Sequence, residues 1–164
     1  MTTDRMAWED DIEAIWGYLD TDEPAAFLAR MERAVAAPEV PEGVRRFEVA
    51  GAHDALDRPD LAVAGYHAAL EAGLDDHRAR QATIQLASSL RNLGEPEDGL
   101  RLLAALDTDR GDGLDDAVVV FRALMLADLG RDREALAATI HALANRLSYY
   151  RVSARHYADA LIEG

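Results

Sequence analysis

Apolar residues recur along this chain at intervals of three and four, interrupted by short runs of glycine, proline and acid. Trp8, Ile12, Ile15 and Leu19 share one helical face, with Glu9, Asp10, Asp11 and Glu13 elsewhere. "TDEP" (21–24) then supplies cap candidates, acids for a first turn and a proline tolerated there. A second helix follows, with Phe27, Leu28, Met31 and Val35 inward, and the two prolines of "APEVPEG" (37–43) break it. The same spacing predicts further helices over about 41–56, 60–72, 76–93, 95–106, 114–129 and 132–146. Gly73 is placed as a C-terminal cap, and Ser148 as the cap of a ninth helix, "YYRVSARHYADALI" (149–162). No stretch alternates with period two for long enough to be a strand; "AVVVF" (117–121) is short and flanked by helical pattern. The expected fold class is all-α, with antiparallel hairpins because the turns are short.

The punctuation repeats. Asp57, Gly94 and Gly130 lie 37 and 36 residues apart, each followed by a short turn and a helix. Before each mark comes a small residue: Ala50, Ala87, Ala123. After each comes another: Ala62, Gly99, Ala135. Then follow Tyr66, Leu103 and Thr139, and after them Ala69, Leu106 and Ala142. Two helices cross closely only where side chains are small, and larger neighbours fill the gaps. The tight turn favours glycine, which has no steric penalty at positive φ.

With these marks in register, the chain resembles the tetratricopeptide repeat family, whose unit is a 34-residue helix-turn-helix. The best units are about 43–76, 80–113 and 116–149, within a single domain whose flanks, 1–40 and 148–164, are helical caps. "LASSLRNLGEPEDGL" (86–100) and "FRALMLADLGRDREAL" (121–136) carry the likeness best, and they resemble a bacterial subgroup, group 5, of short stand-alone chains. The sequence departs from the family at Asp57, where a turn glycine is expected. It departs again at Arg46, Thr83 and Val119, where a large early residue is usual, and at Leu74, Gly111 and Leu147, where a late proline is usual.

The resemblance implies an α-solenoid whose first helices line a concave groove. By position that groove would show Val44, Phe47, Gly51 and Asp54 from the first unit. The second would contribute Gln81, Ile84, Gln85, Ser88, Arg91 and Asn92, and the third Ala117, Val120, Leu124 and Asp128. The binding residues expected from this register are Phe47, Asp54, Gln81, Ile84, Gln85, Ser88, Arg91, Asn92, Leu124 and Asp128. They would hold an extended protein or peptide segment. The lysine- and asparagine-rich clamp with which some members hold terminal carboxylates has no counterpart: its positions hold Phe47, Gly51, Gln85, Ala117 and Phe121, and the chain has no lysine.

Composition narrows the partners. The 164 residues fit one domain, and 31 acidic against 17 basic side chains give a formal net charge of −14. Nucleic acid and anionic membrane are therefore disfavoured. The arginine-only basic set and abundant alanine read as GC-rich coding. Absence of cysteine excludes disulfides, thiol catalysis and Cys-type zinc sites. No signal peptide or long apolar run is evident, so the cytoplasm is the default compartment. "DTDRGDGLDD" (107–116) departs from a calcium loop at Gly111, Asp112 and Val118, and reads as an acidic solvated loop. His53 reads as a packing residue and His67, His77, His141 and His156 as surface residues; none forms a metal-ligand motif. The basic-aromatic last helix, with Tyr149, Tyr150, Arg151, Arg155, His156 and Tyr157, suits RNA stacking less well than it suits a capping role. The expected function is a non-catalytic scaffold for a protein segment, without cofactor or metal. The alternatives are a homodimer whose groove is filled by its own termini, with Trp16 as one candidate for dimer burial, and, with no positive support, a metal-dependent enzyme.

Overall fold

A computed structural model describes residues 6–163. Among the described residues the regular structure is entirely helical: α1 Ala7–Trp16, α2 Pro24–Val35, α3 Glu42–Ala55, α4 Pro59–Ala72, α5 Asp76–Asn92, α6 Pro96–Ala104, α7 Asp115–Asp128, α8 Asp132–Ala144 and α9 Arg151–Glu163. Each expected helix is present, and most of the boundaries fall within one or two residues of those read from the periodicity.

Two caps differ from expectation. The N-cap of α2 is Glu23, whose side chain makes no cap hydrogen bond. Thr21 Oγ1 instead donates to the Tyr18 carbonyl, and Asp22 accepts from Arg30 Nε at 3.0 Å. Ser148 does not cap α9 either, because the helix starts at Arg151 and Tyr150 before it stands at φ +64°. A residue in that left-handed region cannot belong to the helix, so the start moves inward.

The repeated turns share one local geometry. Asp57, Gly94 and Gly130 have φ of +57°, +83° and +71°. The next backbone N–H returns in each case to the carbonyl five residues earlier: Arg58 to His53, Glu95 to Leu90, Arg131 to Leu126, at 2.8–2.9 Å. This is the glycine-type helix ending that satisfies orphan carbonyls. The three residues after the marks also match, with φ, ψ of −119°, 63° at Arg58, −113°, 52° at Glu95 and −94°, 48° at Arg131. Asp57 thus adopts the conformation of the glycines it replaces. Gly73, φ +92°, closes α4 as expected.

The packing divides into two compact units, one ending at Ser89 and the other beginning at Leu90. In the first, Ile12 and Ile15 of α1, Phe27, Met31 and Val35 of α2, and Val44 and Ala52 of α3 form one core with Val40. Trp16 stacks obliquely on Phe27, centroids 5.6 Å apart. The α3–α4 hairpin is closed by small residues: Ala50, Ala62 and Ala69 are buried, with Tyr66 fully enclosed beside Phe47. Gly43 lies so close to the Gly73 carbonyl that a Cβ there would clash with its oxygen.

In the second unit Leu103, Val118, Met125, Leu126, Ala135, Ala137 and Ala144 are buried, and α9 packs on α8 with Ala158 buried. Here the repeat is less regular. Thr139, at the position held by Tyr66 and Leu103, is exposed and returns its hydroxyl to the Ala135 carbonyl. Ala123 is only half-buried. A small polar side chain cannot fill the gap a tyrosine or leucine fills, so Thr139 turns to its own helix.

Candidate functional site

Residues expected to line a groove meet in the first unit. Phe47 and Gly51 of α3 and Gln81 and Gln85 of α5 border one cleft of about 220 Å³, completed by Trp16, Glu48 and Arg78. Helical period brings Phe47 and Gly51, and Gln81 and Gln85, onto single faces four residues apart. Gly51 is small for a reason: the Trp16 ring approaches to 3.3 Å of where its Cβ would stand.

The cleft wall is mostly polar and largely pre-set. Trp16 Nε1 donates to Glu48 Oε2 at 3.0 Å. Burial raises the Glu48 carboxyl above its ordinary range, more than the bond from Trp16 and the nearby Arg78 charge lower it. Arg78 pairs with Glu9 at 2.7 Å and Asp75 at 2.8 Å, and lies over the Trp8 ring. Gln85 Oε1 is buried and has no hydrogen-bond partner among the described residues. A buried acceptor without a donor costs about 1–3 kcal/mol.

The other expected residues of this unit are engaged differently. Asp54 stands further along α3, where its carboxylate accepts from Ser89 Oγ at 2.9 Å and Tyr66 OH at 3.4 Å. Burial again dominates, raising its pKa despite those two bonds. Asp54 therefore ties α3 to α4 and α5 and is already supplied with donors. Ile84 is 5 % exposed and packs inward, with little surface to offer a ligand. Ser88 is half-buried.

In the second unit Arg91 donates to Asp128 through both Nε and Nη2, the latter at 3.2 Å. Expected as separate contacts for a partner, these two side chains satisfy each other. Asn92 and Leu124 are exposed, Leu124 at 39 %. In the loop before α7, Asp115 accepts from the backbone N–H groups of Arg110 and Gly111, Asp107 from that of Asp109, and Asp112 from that of Leu114.

Trp16, Glu48 and Arg78 were not among the expected site residues. Trp16 and Glu48 are 32 positions apart, so no local pattern pairs them. The one available signal was Gly51, a residue costly in mid-helix that marks a close approach.

A family description, Tetratrico peptide repeat, matches residues 43–161. This chain belongs to the tetratricopeptide repeat family. The match starts where the first expected unit starts and reaches into α9, and the group 5 form expected from the sequence agrees with it. No curated protein and no solved structure gave a significant match. Tetratricopeptide repeats serve as protein-interaction modules, and this repeat protein shares their helix-hairpin construction. Among its described residues, no helix is long and apolar enough to cross a membrane.

Proposed function

We propose that this tetratricopeptide protein is a non-catalytic scaffold that docks an extended segment of a partner protein on the α3–α5 face of its first unit. The observation that supports this reading is the shared cleft of Phe47, Gly51, Gln81 and Gln85. Phe47, itself buried, backs the cleft, and Gln81 and Gln85 supply paired amides of the kind that read a peptide backbone. Trp16 and Glu48 form the rigid wall against which the segment lies.

The test places a photo-crosslinking residue at Gln81, with one at exposed His67 as control, and identifies the captured segment by mass spectrometry. A synthetic peptide of that segment is then titrated against the purified protein. The double variant Gln81→Ala, Gln85→Ala should weaken its binding about tenfold, with an unchanged circular-dichroism melt. Equal affinity for the variant would reject the site, as would capture at His67 alone.

A further inference from the structure

A cleft of the second unit lies on the other side of α7 from Leu124. It encloses about 510 Å³ between α7, α8 and α9, and its wall includes Val119, Arg122, Leu126, Ala142, Asn145 and Arg155. On α7, Val119, Arg122 and Leu126 form one stripe, and Leu124 projects about 200° away from Leu126 at 100° per residue. Ala138 and Ala142 of α8 are small, so the space between the helices stays open.

The charges around this cleft do not cancel in place. Asp116 is paired with Arg146, and His141 Nε2 lies 2.9 Å from Asp159 Oδ1. Asp115 accepts from the two backbone N–H groups of its loop. Each acid therefore has its own partner. Arg122, by contrast, is half-buried and makes no hydrogen bond or ion pair among the described residues. Among the described residues Arg155 donates only to the neutral Asn145 Oδ1. Two guanidinium groups thus line one cleft with no ion pair of their own among the described residues, while Asp115 and Asp116, which also line it, are held by the partners above; an apolar strip of Val119, Leu126 and Ala142 lies beside them.

We infer that this cleft is a second docking site, which takes an acidic side chain of a partner protein flanked by apolar residues. Charge complementarity selects a carboxylate, since guanidinium and carboxylate match in geometry as well as sign. Size selects a chain segment: the stripe from Val119 to Leu126 runs about 10 Å along the helix, close to three extended residues. An apolar-Glu-apolar tripeptide satisfies both. The site is independent of the α3–α5 face, so either can fail without the other.

The probe is acetyl-Leu-Glu-Leu-amide, titrated into the ¹⁵N-arginine-labelled full chain while the Nε–Hε signals are followed. The expected result is saturable movement of the Arg122 and Arg155 signals in the millimolar range. The glutamine counterpart of the peptide should leave them in place. Arg122→Gln should weaken the titration about tenfold; should that variant unfold by circular dichroism, Arg155→Gln on the surface of α9 gives the same comparison. The inference is overturned if the two peptides behave alike, if neither moves the signals, if the folded variants bind as the parent does, or if inorganic phosphate moves the signals where the glutamate peptide does not.

Discussion

Gly65 and Ala50 meet at the crossing of α4 and α3: a Cβ on Gly65 would lie 2.7 Å from the Ala50 Cβ and 3.2 Å from its Cα. The contact is with a short side chain and backbone, neither of which can turn aside. Gly65→Ala must therefore push the helices apart. Overpacking of this kind costs about 1–3 kcal/mol, against roughly 1 kcal/mol that alanine returns to a helix interior. A net loss of about 1 kcal/mol is expected. Both tryptophans, Trp8 and Trp16, stand in the first unit, so urea unfolding followed by tryptophan fluorescence reads it directly. A midpoint equal to or above the parent's would contradict the crossing.

Asp57 holds a left-handed conformation in which the equivalent residues of the later turns are glycine. A side chain there costs energy that glycine avoids, partly offset by the greater freedom of glycine in the unfolded chain. Asp57→Gly should stabilise the first unit by about 0.5–1 kcal/mol, read by the same fluorescence transition. Loss of stability would mean that the aspartate side chain contributes more than its backbone costs.

Glu48 carries a pH signature. Its native pKa is raised by burial, so the folded state holds its proton at pH values where the unfolded state has released it. The stability that this proton contributes is complete below the ordinary glutamate pKa of about 4.3 and disappears as pH rises through the native value. Glu48→Gln keeps an oxygen for Trp16 Nε1 and removes the buried charge. Its advantage over the parent should be absent near pH 4, grow as pH rises, and level off once Glu48 is ionised in both states. Urea midpoints of the two proteins across this range provide the check. An advantage independent of pH, or none at neutral pH, would show that Glu48 ionises without penalty.

How far the sequence reaches is visible in particular residues. Asp57, Gly94 and Gly130 announced their turns because a helix ending is decided within about five residues of chain, and the hydrogen bonds that close it span that distance. Phe47, Gly51, Gln81 and Gln85 were legible as cleft residues once the turns set the register. Ile84 was misplaced by the same register: helical spacing gives a direction around the axis but not the depth of what covers it. Arg91 and Asp128 were each legible as polar, but their mutual bond depends on how α5 and α7 are brought together.

The sequence alone therefore determined the helices, their endings, the period of the repeat and the all-α class, because periodicity, proline and positive-φ positions act over one or two turns of chain. Tertiary structure decided that Trp16 reaches Glu48 and Gly51, that Asp54 accepts from Tyr66 and Ser89, and that Arg122 and Arg155 line one cleft. Such pairings join residues tens of positions apart. They follow from which surfaces exclude water together, a property of the packed chain that no local pattern contains.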